Sequence, residues 1–102
     1  MASSIDRWPL LLLALSTGAA AQTALPDYNS RGYCTSLAAR TGARSQDDVN
    51  SCTETEAQKR AGLTPIWSSV PMTIREHCLR RGDRQSYDLL AICVETEMER
   101  TR

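Results

Sequence analysis

A twelve-residue stretch occurs twice in this chain and forms the basis of its predicted fold: SQDDVNSCTETE at 45–56 and SYDLLAICVETE at 86–97. Aligned on the cysteine without a gap, the two copies are identical at six of the twelve positions. Self-similarity of this kind indicates a structural unit that the chain uses twice. The identical positions are Ser45/Ser86, Asp47/Asp88, Cys52/Cys93, Glu54/Glu95, Thr55/Thr96 and Glu56/Glu97.

Each copy begins with the signal for a helix N-terminus. A serine hydroxyl at Ser45 or Ser86 can accept a hydrogen bond from a backbone amide of the first turn, and the following aspartates suit the positive end of the helix dipole. The first helix should run to about Ala61 and stop at Gly62. Its expected apolar side is Val49, Cys52, Ala57 and Ala61, whereas the second copy contains the most apolar run, Leu89, Leu90, Ile92, Cys93 and Val94.

A shorter helical pattern precedes each copy. Asn29 or Ser30 can cap the first of these helices, and Gly42 can end it. The other begins at Pro71 or at a capping box over 73–76, and it ends at the next glycine. The pattern therefore predicts four helices, over 30–41, 46–61, 71–81 and 87–94, the last of which continues into the charged tail 95–102.

Four cysteines, Cys34, Cys52, Cys78 and Cys93, permit three disulfide connectivities. In the first half, Cys34 and Cys52 each lie about seven residues, or roughly 10 Å, from the expected turn between their helices. The second half matches more loosely. We therefore predict Cys34–Cys52 and Cys78–Cys93, with pairing between the halves as the alternative. The predicted fold is all-α, with two antiparallel helical hairpins of four short helices as a tandem repeat, each stapled by one disulfide.

The N-terminal segment 1–21 has the pattern of a signal peptide, with an apolar run and the small residues Ala19, Ala20 and Ala21 at its end. We expect a mature chain that starts at Gln22, forms one domain and resides in the periplasm or outside the cell, where disulfides form. The 12 basic and 12 acidic residues give no net charge, which argues against nucleic acid as a partner. After signal cleavage no run predicts membrane insertion.

The expected order of the mature chain is a flexible arm at 22–29, a hairpin at 30–62, a linker at 63–71 and a second hairpin at 72–102. The linker contains two prolines and is unusually apolar, with Trp67 at its centre. Our preferred interpretation is that the linker covers the interface between the halves. The alternative is an exposed aromatic patch in which Trp67 contacts a partner.

The sequence carries no recognisable catalytic or metal-binding motif. The cysteines form no Cys-x-x-Cys pair, so zinc and thiol redox chemistry are not predicted. His77, the single histidine, has no acid or nucleophile in a known motif with it. Residues two apart on a helix point about 200° from each other, so the repeated glutamates at 54, 56, 95 and 97 do not converge in pairs and should be solvated. We expect no cofactor and no enzymatic activity.

The order of Tyr33-Cys34, a turn and Cys52 followed by a glutamate, with a second such unit to residue 97, resembles small exported bacterial proteins built from two cysteine-containing helical repeats. The resemblance covers most of 33–97. It implies a periplasmic location and the paired helical fold, and it implies no mechanism. His77 departs from the pattern, because an aromatic residue precedes the first cysteine of a unit.

The function we expect is binding or structural support in the cell envelope, without catalysis. One alternative is a carrier of a small ligand or metal that uses the Trp67 linker and the groove between the hairpins. Another is an inhibitor or effector of a second secreted protein.

Overall fold

The computed structural model describes residues 24–42, 45–81 and 85–102. The expected signal peptide at 1–21, the first two residues of the expected arm and the expected stop of the third helix at Gly82 lie outside these residues. Within them the chain is all-helical and has no strand, which confirms the predicted fold class. The elements are α1 (Ser30–Thr41), α2 (Gln46–Leu63), a 3-10 turn (Trp67–Ser69), α3 (Met72–Arg80) and α4 (Tyr87–Arg100).

The serine of each sequence copy caps its helix. Ser45 Oγ accepts a hydrogen bond from the amide of Asp48 at 3.1 Å, and Ser86 Oγ accepts one from the amide of Leu89 at 3.2 Å. Asn29 Oδ1 does the same for α1, accepting from the Gly32 amide at 3.0 Å. The predicted starts of these three helices are confirmed, because each side chain satisfies an amide that the helix leaves unpaired.

Two helix ends were predicted at glycines that the structure describes, and one of the two predictions is confirmed. Gly42 follows α1 with φ of +80°, the left-handed conformation that glycine adopts at low energy. The predicted stop at Gly62 is wrong, since α2 continues through Gly62 to Leu63. The helix ends instead where Thr64 donates from its amide to the Arg60 carbonyl at 3.0 Å and from Oγ1 to the same oxygen at 2.8 Å.

Both disulfides join helices that are neighbours in sequence. Cys34–Cys52 links α1 to α2, and Cys78–Cys93 links α3 to α4, each with a Cα–Cα distance of 5.7 Å. The predicted connectivity is therefore confirmed and pairing between the halves is excluded. Within each linked pair the helices pack on each other, and α2 also packs on α4. The contact between α2 and α4 joins the two halves.

The apolar core is divided unequally between the halves. The smaller cluster contains only Cys34, Ala38 and Val49, between α1 and α2. The larger cluster is formed by the end of α2, the 3-10 turn, α3 and α4, and it contains Leu63, Trp67, Val70, Ile74, Cys78, Tyr87, Leu90, Ala91 and Val94. Little buried apolar surface holds α1 against the rest of the protein. The Cys34–Cys52 bond is therefore more important for the position of α1 than the Cys78–Cys93 bond is for the position of α3.

The linker 63–71 lies against the larger core. Trp67 is 5% exposed, and it packs in the same cluster as Leu63 and Val70. The alternative in which Trp67 is exposed to contact a partner is therefore wrong. An indole buries more apolar area than most side chains, and here the core provides a place for it. The exposed apolar residue of this segment is Ile66.

The arm is also attached to the core rather than loose over the residues described. Leu25 and Tyr28 pack against the larger cluster. Tyr87 Oη donates to the Pro26 carbonyl at 2.7 Å and accepts from the Tyr28 amide at 2.9 Å. The expectation of a flexible arm is wrong for residues 24–29, because the buried Tyr87 hydroxyl takes its hydrogen-bond partners from them.

No helix in the described part of the chain is both long enough and apolar enough to cross a membrane.

Candidate functional site

Glu56 is the most deeply buried charged residue of the described chain, with 1% of its surface exposed. It lies on the inward face of α2, where the buried positions are Val49, Glu56 and Leu63, with Cys52 half-buried between them. These residues recur at spacings of three, four and seven, as expected for one face of a helix. Ala57 and Ala61, which we expected on this face, are exposed.

The Glu56 carboxylate caps the N-terminus of α4. Its Oε1 accepts from the Tyr87 amide at 2.8 Å, and its Oε2 accepts from the Asp88 amide at 3.0 Å and from Ser86 Oγ at 2.8 Å. Ser86 Oγ in turn accepts from the Leu89 amide. The negative charge lies at the positive end of the α4 dipole, and a buried carboxylate is stabilised when several donors surround it in this way.

The expectation that the repeated glutamates are solvated is therefore wrong for Glu56 and correct for Glu54 and Glu95, which are exposed. Lys59 and Arg60, in the turn of α2 that follows Glu56, make contacts with other segments. Lys59 Nζ lies 4.0 Å from Asp88 Oδ1, and Arg60 Nη2 lies 3.3 Å from Asp27 Oδ1. One turn of α2 thus contacts both the start of α4 and the arm.

Tyr87, the first residue of α4, connects these contacts. Its ring is buried, lies 4.9 Å from the Tyr28 ring between centroids and carries the Arg60 guanidinium 5.5 Å above its face. Burial of the Tyr28 phenol, with a smaller contribution from Tyr87, raises the pKa of Tyr28 above the ordinary value of 10.0.

The polar groups around Glu56 already have structural partners. Both carboxylate oxygens accept hydrogen bonds from the framework, and the Ser86 hydroxyl donates to one partner and accepts from another. A carboxylate surrounded in this way is poorly placed to act as a base or nucleophile toward a substrate. We assign the Glu56 cluster to fold stability rather than to chemistry.

His77 has an acidic neighbour that the sequence pattern did not indicate. Its Nε2 lies 3.6 Å from Glu97 Oε1, and the same oxygen lies 3.9 Å from Arg100 Nη1. The imidazole is partly exposed, with 42% of the side chain accessible. His77 belongs to α3, and Glu97 lies in α4, four residues after Cys93. Their contact is a side-chain contact between neighbouring helices at the protein surface.

One concave surface of the described chain, which we call the α4 groove, has a volume of about 590 Å³ and runs along α4. Its apolar lining includes Leu89, Ile92 and the Cys78–Cys93 disulfide. Ile92 is 51% exposed, because the buried face of α4 is formed by Tyr87, Leu90, Ala91 and Val94 instead. The charged lining of the groove is Arg80, Arg81, Glu97 and Arg100.

A second, smaller depression of about 360 Å³ lies on the opposite part of α4, toward the linker. Ile66, Val70, Val94 and Met98 form its apolar lining. This lining comes from the linker and α4 alone, so the depression is not the expected groove between the hairpins, and Trp67 does not line it.

Neither depression contains a recognisable metal site. Among residues 24–42, 45–81 and 85–102, no group of three or more histidine, cysteine or acidic side chains is arranged to hold a metal ion. All four cysteines are in disulfides, so none offers a thiolate ligand.

The sequence patterns indicated neither the α4 groove nor the role of Glu56 as a cap of α4. The groove depends on which side of α4 faces α2, and a run of apolar residues from 89 to 94 leaves that choice open. Glu56 could have been found from the heptad spacing of Val49, Glu56 and Leu63, which places the glutamate on the buried face. No protein family, curated protein or solved structure matches this chain.

Proposed function

We propose that the protein is exported and acts by binding, without catalysis, and that the α4 groove is its binding surface. Two disulfides and the absence of unpaired cysteines support a location in an oxidising compartment such as the periplasm. The use of Glu56 and Ser86 as helix caps supports a framework role for the buried polar groups.

The observation that carries this proposal is the uncovered apolar surface beside the second disulfide. Ile92 is 51% exposed on a helix that Glu56 caps at its start, that packs in the core through its buried face and that is bonded to α3 through Cys78–Cys93. A groove of about 590 Å³ lies within the range of small-molecule sites in proteins, roughly 300 to 1,000 Å³. A helix that is already fixed in position needs little further ordering when a ligand binds.

A neutral apolar fluorescent probe, Nile red, tests the groove with the oxidised mature chain. We expect enhanced probe fluorescence with the wild type and a loss of the enhancement in Ile92→Ser, since this change removes exposed apolar surface from the groove. Met72→Ser is the matched control, because Met72 is 48% exposed and lines neither depression.

The Nile red titration can also contradict the proposal. An unchanged titration with Ile92→Ser, or an equal loss with Met72→Ser, would show that the α4 groove is not the binding surface. A loss confined to Ile66→Ser would assign the probe to the smaller depression. Circular dichroism on each variant checks that the helices are intact.

The export part of the proposal has its own test. Expression of the full chain in a bacterial host that exports proteins should yield a periplasmic product that begins at Gln22. Its intact mass should be lower by four hydrogen masses than the mass of the reduced mature chain, because both disulfides are closed. Retention of residues 1–21, with the product in the cytoplasm and its thiols reduced, would contradict export.

A ligand carrier is the second candidate function, and the volume of the α4 groove favours it. A carrier purified from the exported fraction should have extra mass from a bound small molecule in its native mass spectrum, and this mass should be lost on denaturation. A protein that binds only macromolecules should have the same mass in both spectra.

A further inference from the structure

The charged side chains that line the α4 groove are mostly basic, and they lie beside apolar lining residues. This combination indicates the chemical class of a ligand. Arg80, Arg81 and Arg100 oppose a single acidic residue, Glu97. Glu97 is already close to His77 and Arg100. Arg80 and Arg81 are exposed and make no ion pair with another described residue, so their charge is available to a ligand.

Basic residues at a helix C-terminus also have a structural explanation. Arg80 occupies the last turn of α3, where a positive charge complements the helix dipole. Arg40 occupies the last turn of α1 in the same way, but it lies outside the groove. Replacement of either arginine removes a positive charge from a helix end, but only replacement of Arg80 also removes one from the groove. Comparison of the two variants therefore distinguishes an effect on helix stability from an effect on ligand binding.

The apolar lining gives the ligand its shape. Lining residues extend from Ser86 to Arg100 along one helix, a distance of about 21 Å at 1.5 Å per residue. Leu89, Ile92 and the Cys78–Cys93 disulfide lie between these ends. Polar and charged groups share this lining with the apolar ones, so the groove fits an elongated molecule with an apolar part and a charged end better than a molecule of one character.

We propose that the α4 groove binds a monomeric anionic amphiphile, a molecule with an extended hydrocarbon chain and a carboxylate or phosphate end group. The anionic group pairs with Arg80 and Arg81, whose guanidinium groups match the geometry of carboxylate and phosphate. The hydrocarbon chain lies along Leu89 and Ile92. This inference rests on the proposed function, since it names the ligand class of the same groove.

Calorimetric titration of the oxidised mature chain with dodecanoate, below its micelle concentration, tests the ligand class. Dodecanol supplies the same chain without the charge, and inorganic phosphate supplies the charge without the chain. We expect dodecanoate to bind at least about tenfold more tightly than dodecanol, as expected for two arginine contacts at a partly exposed site. Inorganic phosphate alone should not bind measurably.

Arginine variants test the placement of the anionic group. The double variant Arg80→Ala/Arg81→Ala should raise the Kd for dodecanoate about tenfold and leave dodecanol binding unchanged. Arg40→Ala is the matched control and should leave both unchanged, because Arg40 is an exposed arginine in the last turn of another helix. Higher salt should weaken dodecanoate binding to the wild type more than to the double variant.

Several results would overturn the inference. These are equal affinity for dodecanoate and dodecanol, an unchanged Kd in the double variant, an equal effect of Arg40→Ala, or binding of phosphatidylglycerol vesicles in place of the monomer. If Nile red still binds through Ile92 in those cases, the proposed function stands and only the anionic ligand class is wrong. If neither Nile red nor dodecanoate binds, the groove is not a binding site and both proposals fail.

Discussion

Glu56 shows how one charged side chain can hold two distant segments together. The residue is 30 positions before Ser86 in the chain, yet its carboxylate accepts hydrogen bonds from three consecutive residues at the start of α4. A buried charge is expensive unless donors surround it, and here two backbone amides and a hydroxyl do so. Loss of the charge leaves those donors without a matched acceptor.

Replacement of Glu56 by glutamine should therefore destabilise the protein by about 2 to 4 kcal/mol, since one acceptor oxygen becomes an amide that faces other donors. Glu54→Gln is the control on the same helix, and it should change the free energy of unfolding by less than about 0.5 kcal/mol because Glu54 is exposed. Urea unfolding followed by circular dichroism measures both. Equal stability of the two variants would show that the Glu56 contacts contribute little.

Tyr28 gives the stability a dependence on alkaline pH. Burial raises the pKa of its phenol, so the folded chain keeps the proton at pH values where the unfolded chain has lost it. This contribution is complete below pH of about 10, the pKa of a free phenol, and it is lost as pH rises from there through the folded pKa. Stability should therefore fall above that pH.

The variant Tyr28→Phe should flatten this decline, because phenylalanine keeps the ring and has no proton to lose. The Tyr87 hydroxyl keeps its partners in this variant, since it contacts only backbone atoms of the arm. Tyr33→Phe, in the other half, controls for the loss of a tyrosine. Thermal unfolding at a series of pH values is the measurement, and an identical decline in wild type and Tyr28→Phe would exclude the role given to Tyr28.

Among the helices, α4 has three different sides. Tyr87, Leu90, Ala91 and Val94 face the core, Cys93 is bonded to α3, and Ile92 faces the groove. Its start is fixed by Glu56 and Ser86. Of these contacts, those of Glu56, Tyr87, Ala91 and Val94 lie outside the groove lining, so they fix the helix without occupying the surface, as a preformed binding surface requires.

The weakest attachment belongs to α1, which packs mainly on α2 and contributes Cys34 and Ala38 to a small core. Replacement of Cys34 and Cys52 by alanine should release α1, with a loss of about 3 kcal/mol in the chain-entropy treatment of a loop of this size. Hydrogen exchange should become fast across Ser30–Thr41 and stay slow in α4.

The matching double replacement of Cys78 and Cys93 should have a different pattern, because these cysteines lie in the larger core. Exchange should then accelerate in α2, α3 and α4 together, through a lower global stability. A variant of the first disulfide that accelerates exchange equally in all helices would contradict the local attachment of α1.

The sequence patterns predicted where the helices begin better than they predicted which side of each helix is buried. Caps at Asn29, Ser45 and Ser86 were predictable because the side chain acts on its own first turn, and the disulfide pairing followed from distances to local turns. The buried face of α2 was predicted correctly at Val49 and Cys52 and wrongly at Ala57 and Ala61, which are exposed. A carboxylate occupies that face, and its burial is explained only by donors 30 residues away.

The candidate site was less predictable for the same reason. Trp67 was the aromatic residue of an apolar linker, and only the packing of Leu63 and Val70 around it shows that it belongs to the core. Ile92 was one of a run of apolar residues, and the contact of α2 with α4 decides that it remains exposed. Tertiary contacts between the halves therefore determine the surface that we propose for binding.

At the scale of the whole molecule, the two sequence copies have different roles after folding. Glu56 at the end of the first copy binds the start of the second, while Glu97 at the end of the second lies at the surface beside His77. The halves are thereby linked into one unit through α2 and α4. We expect a single cooperative unfolding transition for that unit, with α1 as its least stable part.

A double-mutant cycle on Glu56 and Ser86 tests this link most directly. The free energy of unfolding is measured for wild type, Glu56→Gln, Ser86→Ala and the double variant under the same oxidised conditions. Because the two side chains are hydrogen-bonded at 2.8 Å between residues of different halves, we expect a coupling energy of about 1 kcal/mol or more. Additivity within about 0.3 kcal/mol would contradict the claim that the hydrogen bond between Glu56 and Ser86 joins the two halves.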